Sequence, residues 1–519
     1  MSTNLYADDD DEISIDPEFL AELQKDAAVV VRRIRESFAA RTHGSPDEYL
    51  TKQLKWLAHA LDRPRELHDR TWSALMREGL PDVYIDAVLG DSFFEEESAL
   101  VIAVIAGLTN MAKGTSSLEM EDEKTALYLI ERCPEIFKAL WEHRDRLKDL
   151  DASTPATLYT IVTESTFAWF LFHFADRYQV YHGYSAGVDT YIPHVSLYCW
   201  VHIYQPGDVD FALSGLRFLT DRNRPCAYQT QKSFIEDVVI DTIGGENVLK
   251  SFERDLEDAF LDDAGDGGNA LEAIAVIPQL VEHPKMQVLV QERETFRRIV
   301  EYLDRRIRSV NDSDVEGLKS GWTEWELALI YFKTVYQSLS DSFAHKDMSH
   351  ISVRGEDVVI FLARGTEWMS RGASRDASSD IAGILSAFGR WAKMREWREV
   401  AQTFLDGLIR GTRSEWIPTL NAIDAGAYRR AISGRAHNDL SNAWKDFGMR
   451  MGLNENKERK RVQIERQKFC SYTLCQFNRK EPQAALLSCK GCGEARYCGK
   501  ECQLGDWKVH KKTCGRRLK

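Results

Sequence analysis

The sequence predicts a mainly α-helical protein: a large body of helices followed by a small, cysteine-dense module at its C-terminal end. Three observations predict it. Apolar residues recur three and four apart through most of the chain, with little strict alternation. Three of the ten cysteines precede Cys470, and seven crowd into the stretch from Cys470 to Cys514. Charge divides at nearly the same place. From Met451 onward there are 17 Lys and Arg against 7 Asp and Glu, leaving 50 against 74 before it within a total of −14.

A length of 519 residues, 44 % hydrophobic and 29 % charged, allows a sizeable core and excludes a fibrous or mostly disordered chain. The opening MSTNLYADDDDEISIDPEFL is acidic and lacks the apolar core of a secretory leader. The longest apolar runs, ALVIAVIAGL at 99–108 and FAWFLFHF at 167–174, fall short of the ~18–20 residues that span a bilayer, so they are expected to be buried helices. The expected setting is therefore cytoplasmic and/or nuclear, with no membrane partner and with reduced thiols. Cys133, Cys199 and Cys226, scattered among apolar neighbours, read as buried free thiols. An acidic body argues against broad nucleic-acid binding by that part.

Residues 1–16, with the run Asp8, Asp9, Asp10, Asp11 and Glu12, read as a disordered acidic tail. From 17 to 452 the pattern is helical. DPEFLAELQKDAAVVVRRIRESFAAR opens with an acid and a proline and carries arginines toward its end, where the helix dipole favours them. DEYLTKQLKWLAHAL, ESALVIAVIAGLTNMAKG, QVLVQERETFRRIVEYLDRRIRSV and EWELALIYFKTVYQSLSDSF continue in kind. Helices in succession without strands predict pairs stacked as in armadillo or HEAT solenoids, although no signature recurs at a fixed period. DDAGDGGNA at 262–270 marks a break between lobes or a long surface loop.

His173, His182, His194 and His202 are irregularly spaced and lack a matching set of carboxylates, so they read as core or hydrogen-bonded histidines. Tryptophans such as Trp56, Trp169, Trp200, Trp325 and Trp391 read as core. No phosphate-cradling loop, nucleophile elbow or H-E-x-x-H helix is present, and no enzyme is expected. Residues 453–468 form a basic helical linker. Its Lys457, Arg459, Lys460 and Arg461 are read as solvated, with nuclear import or nucleic-acid contact as the alternative.

The tail beyond has the spacing Cys470-x4-Cys475-x13-Cys489-x2-Cys492-x5-Cys498-x3-Cys502-x7-His510-x3-Cys514. These are four close pairs. Zinc takes four nitrogen or sulfur ligands in a tetrahedron, and a close pair supplies two from one turn of backbone. Eight ligands imply two Zn²⁺, and disulfides would leave an odd cysteine. Gly491 and Gly493 flank Cys492, where a tight knuckle turns amide N–H groups toward the thiolates. Cys498 with Cys502, and His510 with Cys514, are each expected on one helical face. Leu486, Leu487, Tyr497, Leu504, Trp507 and Val509 are the few apolar residues available to bury, so metal must supply the stability. All eight positions being protein ligands marks structural rather than catalytic zinc.

The run C-x2-C-x5-C-x3-C-Q-x3-W-x2-H-x3-C, with Arg496, Tyr497, Gln503 and Trp507 in place, resembles the MYND-type zinc finger. The resemblance covers 469–514 and leaves 515–519 as a basic tail. It implies interleaved sites, Cys470, Cys475, Cys498 and Cys502 holding one zinc and Cys489, Cys492, His510 and Cys514 the other. It also implies binding of partner proteins, often short proline-rich peptides laid along a small hairpin, with Gln503 and Trp507 at the matching contact positions. Trp507 reads equally as a plain core residue. The expected function is an intracellular adaptor or scaffold, with transcriptional or chromatin regulation as its setting. Two alternatives stand beside it: a MYND-containing lysine methyltransferase, for which the nearest cofactor-like string is RAHNDLSNAW at 435–444, and a nucleic-acid-binding regulator acting through the basic C-terminal region.

Overall fold

A computed structural model describes the chain from Ile15 to Cys514, except residues 42–46, 63–68, 116–122, 153–158, 204–208, 222–227, 260–267, 282, 311–313, 346–352, 373–376, 395–400, 473–474 and 479. The acidic run, Cys226, most of the 262–270 segment and the 515–519 tail lie outside the described residues, and 268–270 open the helix Gly268–Leu280. Helix follows helix from Pro17 to Arg466, and the described residues hold only two strands, each of two residues. No described helix is long and apolar enough to cross a membrane.

The chain divides into two compact units. One comprises Met1–Arg298 with Glu326–Thr334, and the other Ile299–Trp325 with Val335–Lys519.

In the first unit the opening helical stretch is two helices rather than one. Asp16 caps Pro17–Lys25, and Asp26 ends that helix and caps Ala27–Ala40 by accepting from the Val29 N–H. Short acidic side chains favour such caps over helix interiors, which is why the periodicity alone ran across the join. The apolar run 99–108 lies within the buried helix Ser98–Gly114. Cys133 and Cys199 are buried, and burial pushes the Cys199 thiol up to about 12. His173 and His194 sit among aromatic rings, and burial holds each down at about 4, while exposed His182 lies tilted against Tyr178. These histidines form no metal cluster among the described residues. Trp56 and Trp200 are core as expected, whereas Trp169 is partly exposed.

In the second unit Gly355–Ser370 packs on Gln402–Tyr428, and Ser378–Trp391 on Gly434–Arg450. First helix stacks on first and second on second, as in helical-repeat solenoids. Buried indoles tie these layers together: Trp325 donates to the Phe361 carbonyl, Trp416 to the Trp444 carbonyl, and Trp444 to Thr366 Oγ1. Arg364 is the polar centre. Its guanidinium reaches Asp304, Glu367 and Glu415 at 2.7, 3.0 and 2.9 Å, joining three helices through one largely buried cation.

The linker helix Glu455–Arg466 is capped by Asn454 and lies against the Gln402–Tyr428 helix. Two of its candidate nucleic-acid contacts are engaged internally. Arg459 pairs with Glu455 and donates to Asn421, and Arg461 binds Glu458, Glu465 and the Arg413 carbonyl. A cation held in internal ion pairs has little to offer a phosphate, which supports the connector reading.

Candidate metal centre

The finger is built on a hairpin and a helix. Strand β1 (Leu487–Ser488) pairs antiparallel with β2 (Arg496–Tyr497), and the helix Lys500–Cys514 follows. The outer side of β2 is already covered, since Ser471 N–H donates to the Arg496 carbonyl and Ser471 Oγ accepts from Arg496 N–H. The Cys470–Ser471 segment is thereby stitched to the hairpin, which carries the N-terminal ligand pair to the ligands beyond β2. Asn478 closes the first knuckle by donating to the Cys470 carbonyl at 2.8 Å.

The ligand atoms form two groups, Cys470, Cys475, Cys498 and Cys502, and Cys489, Cys492, His510 and Cys514. Within each group they lie within 4.8 Å of one another. A zinc tetrahedron with Zn–S near ~2.3 Å has S···S edges of ~3.8 Å and S···N edges of ~3.5 Å. The spacings here are 3.7 Å for Cys475–Cys498, 3.6 Å for Cys489–Cys514, and 3.5 and 3.4 Å from His510 Nε2 to Cys492 and Cys489. The donor sets therefore fit two zinc ions, each coordinated wholly by protein side chains, and the pairing interleaves as the resemblance implies.

Electrostatics point the same way. Burial would raise the Cys489 thiol, but the backbone N–H groups of Cys492 and Gly491 turn toward it and bring it down to about 6. Cys475 is lowered likewise against its burial, chiefly by the Phe477 N–H at 3.4 Å. Their neighbours are driven the other way: burial, then hydrogen bonds and repulsion from Cys470 and Cys475, push Cys498 up to about 12 and Cys502 to about 11. Four thiols this close resist ionising together, and a dication among them removes the conflict. Gly491 is required sterically, because a Cβ there would stand 2.7 Å from Cys514 Sγ, and Gly493 completes the knuckle with φ 72°.

Two expectations change. Cys498 lies before the helix rather than on its face, because the chain leaving β2 turns through Gly499 before Lys500 begins the helix. His510 and Cys514 do share the helix, as does Cys502. Of the apolar residues assigned to a small core, Tyr497 is fully buried, whereas Leu487, Leu504 and Trp507 are 57 %, 73 % and 44 % exposed. Trp507 is thus a surface residue, Gln503 is half-buried, and the side chain of Val509 lies outside the described residues. The metal ligands themselves, with Tyr497, form the centre that is buried, so little apolar surface is needed. Sequence reading missed the buried hydrogen bond from Tyr497 Oη to Asp506 at 2.7 Å, and the i, i+4 spacing of Cys502, Asp506 and His510 along the helix was its available signal.

Comparison with known proteins agrees with this geometry. Residues 470–514 match the profile of the MYND finger family. No curated protein and no solved structure matches the chain. The C-terminal module, Cys470 to Cys514, is a MYND finger holding two zinc ions.

Proposed function

We propose that the protein is a non-catalytic adaptor or scaffold in transcriptional or chromatin regulation, in which the finger docks short segments of partner proteins, proline-rich ones among them. The observation that carries this reading is the exposure of Trp507, 44 % of it, on the helix that also carries zinc ligands. A large aromatic left nearly half exposed on so small a domain is an anchor for a partner's apolar side chain. The hairpin supports it. With β2 covered by Ser471, β1 offers the open edge among the described residues, and strand addition there needs only backbone hydrogen bonds. Closed coordination leaves no ligand position for substrate, which supports a structural role for the metal. The string RAHNDLSNAW, the nearest approach to a methyltransferase motif, sits inside the helix Gly434–Arg450.

The test is fluorescence anisotropy with a labelled proline-rich peptide and the full chain. Trp507→Ala is expected to weaken binding by about tenfold or more while zinc content stays at two per chain. Unchanged binding in that variant sinks the reading. A pull-down comparing the intact chain with one truncated at Arg466 then sorts partners that need the finger from those held by the body.

A further inference from the structure

The first unit holds a cavity of about 310 Å³ that has no part in the finger. It is lined by the helix Ala27–Ala40 with Arg41 just beyond it, by the helix Leu80–Val88, by the turn from Gly90 through Phe93–Glu95 to Glu96, and by the start of the helix Ser98–Gly114. Phe38, Val83, Phe93 and Leu100 give it apolar walls, and the last three are buried. Its polar lining includes a buried ion pair. Arg41 and Glu96 meet at 2.9 Å, each side chain only 6 % exposed. Taking two charges out of water is costly, and for stability alone an apolar pair serves as well, so the pair is better explained by what the cavity holds.

A second pair of opposite charges is not satisfied in this way. Arg35, from the helix Ala27–Ala40, and Asp86, from the helix Leu80–Val88, also line the cavity, and both are exposed. The two helices pack on each other, so cation and anion come from neighbouring walls. Arg35 reaches the Glu78 and Gly79 carbonyls at 3.4 and 3.5 Å through Nη2 alone, which steadies the guanidinium and leaves its remaining donors for a ligand. No ion pair joins Arg35 or Asp86 to any other described residue.

We infer that this cavity binds a free amino acid with a large apolar side chain, an aromatic one above all. Arg35 takes the α-carboxylate, Asp86 takes the α-ammonium, and the side chain enters between Phe38 and Phe93. Charge selects this class. Two cations and two anions line the cavity, the buried pair cancels, and the exposed pair asks for one negative and one positive group on the same small molecule. A phosphate or nucleotide is repelled by Asp86 and Glu96, and a polyamine by Arg35 and Arg41. The lining acids form no metal cluster among the described residues. Size agrees. The volume stands at the lower end of the ~300–1,000 Å³ of small-molecule sites and equals about ten waters of liquid, which suits one amino acid and not a dinucleotide. The inference concerns the first unit alone and is independent of the docking proposed for the finger.

The test is isothermal titration calorimetry of the full-length chain with L-phenylalanine as the probe, beside L-tryptophan, L-leucine, 3-phenylpropionate, phenethylamine and N-acetyl-L-phenylalaninamide. Phenylalanine is expected to bind, and the two analogues that lack one charged group to bind about tenfold or more weakly than it does. Arg35→Gln, which keeps amide donors for the Glu78 and Gly79 carbonyls, is expected to weaken phenylalanine about tenfold and to leave phenethylamine unchanged, because that ligand has no carboxylate to lose. Asp86→Asn is expected to weaken phenylalanine by a similar factor and to leave 3-phenylpropionate unchanged. A merely structural role for either residue does not produce this crossed pattern. Ala87→Leu, which puts a larger side chain on the cavity wall, is expected to abolish binding while the helical circular dichroism is retained. Failure of phenylalanine, tryptophan and leucine alike to bind the wild type overturns the inference, as does phenylalanine binding that ignores both charge variants. Equal affinity for phenylalanine and 3-phenylpropionate removes Asp86 from the site and overturns it as well. Tighter binding of the blocked amide than of phenylalanine overturns it in favour of an apolar side chain presented by a partner protein.

Discussion

In the helical body a residue such as Trp416 is enclosed by apolar neighbours, and its single polar atom is met by the Trp444 carbonyl. In the finger the largest buried side chain is Tyr497, and what surrounds it is mainly sulfur: Cys470, Cys489 and Cys514 are the other buried members of that core. Both regions are folded, but one is held by area removed from water and the other by coordination. The difference teaches where each is vulnerable. A body built of many small contributions loses stability by increments, whereas a finger with two centres loses its fold when either ligand set is broken.

The comparison is sharpest under chelation. Removing zinc with a strong chelator is expected to cost the finger its fold, since each structural site supplies ~10–16 kcal/mol of apparent binding energy. Circular dichroism would fall only by the share of the fifteen-residue closing helix, and limited proteolysis would cut within 470–514 while the body survives. A chain that loses its helical signal as a whole under chelation would erase the distinction.

Breaking the body takes a charge. Arg364→Ala leaves Asp304, Glu367 and Glu415 facing one another in a largely buried site, and is expected to destabilise that unit by ~3–5 kcal/mol in denaturant titration, with zinc content unchanged.

Acid separates the regions by a third route. Burial, then the nearby charge of Lys113, hold His173 down at about 4, well below the ordinary 6.5. Between those values the unfolded chain binds a proton that the folded chain refuses, so stability falls as pH drops below about 6.5, and the full penalty is reached near pH 4. At ~1.4 kcal/mol per pKa unit this one histidine contributes roughly 3–4 kcal/mol of acid sensitivity, and His173→Phe should flatten that part of the profile.

Smaller again is Tyr497→Phe, which leaves the buried Asp506 carboxylate without its donor. A loss of ~1–3 kcal/mol is expected, read as weaker zinc retention in competition with a chromophoric chelator. Trp507→Ala should be smallest for stability, within ~0.5 kcal/mol, because nearly half of the residue is exposed. A larger loss would restore the core reading of Trp507 and weaken its role as an anchor.

The sequence by itself determined the helical class, the eight ligands, the number of metal ions and the helical character of the linker. Each is written in short-range pattern: three-and-four periodicity and close Cys pairs. It left the purpose of Trp507 open and misjudged Leu487 and Leu504, because an apolar letter reports what a residue would gain by burial and not whether neighbours exist to bury it. The tertiary structure decided those. It also decided which residues share a zinc, since Cys470 meets Cys498 only after Ser471 is bonded to Arg496, and it placed Arg364 among carboxylates 51 and 60 residues away in the chain. Contacts at that separation depend on how helices stack, and stacking is set by the packing of whole faces, which no local pattern records.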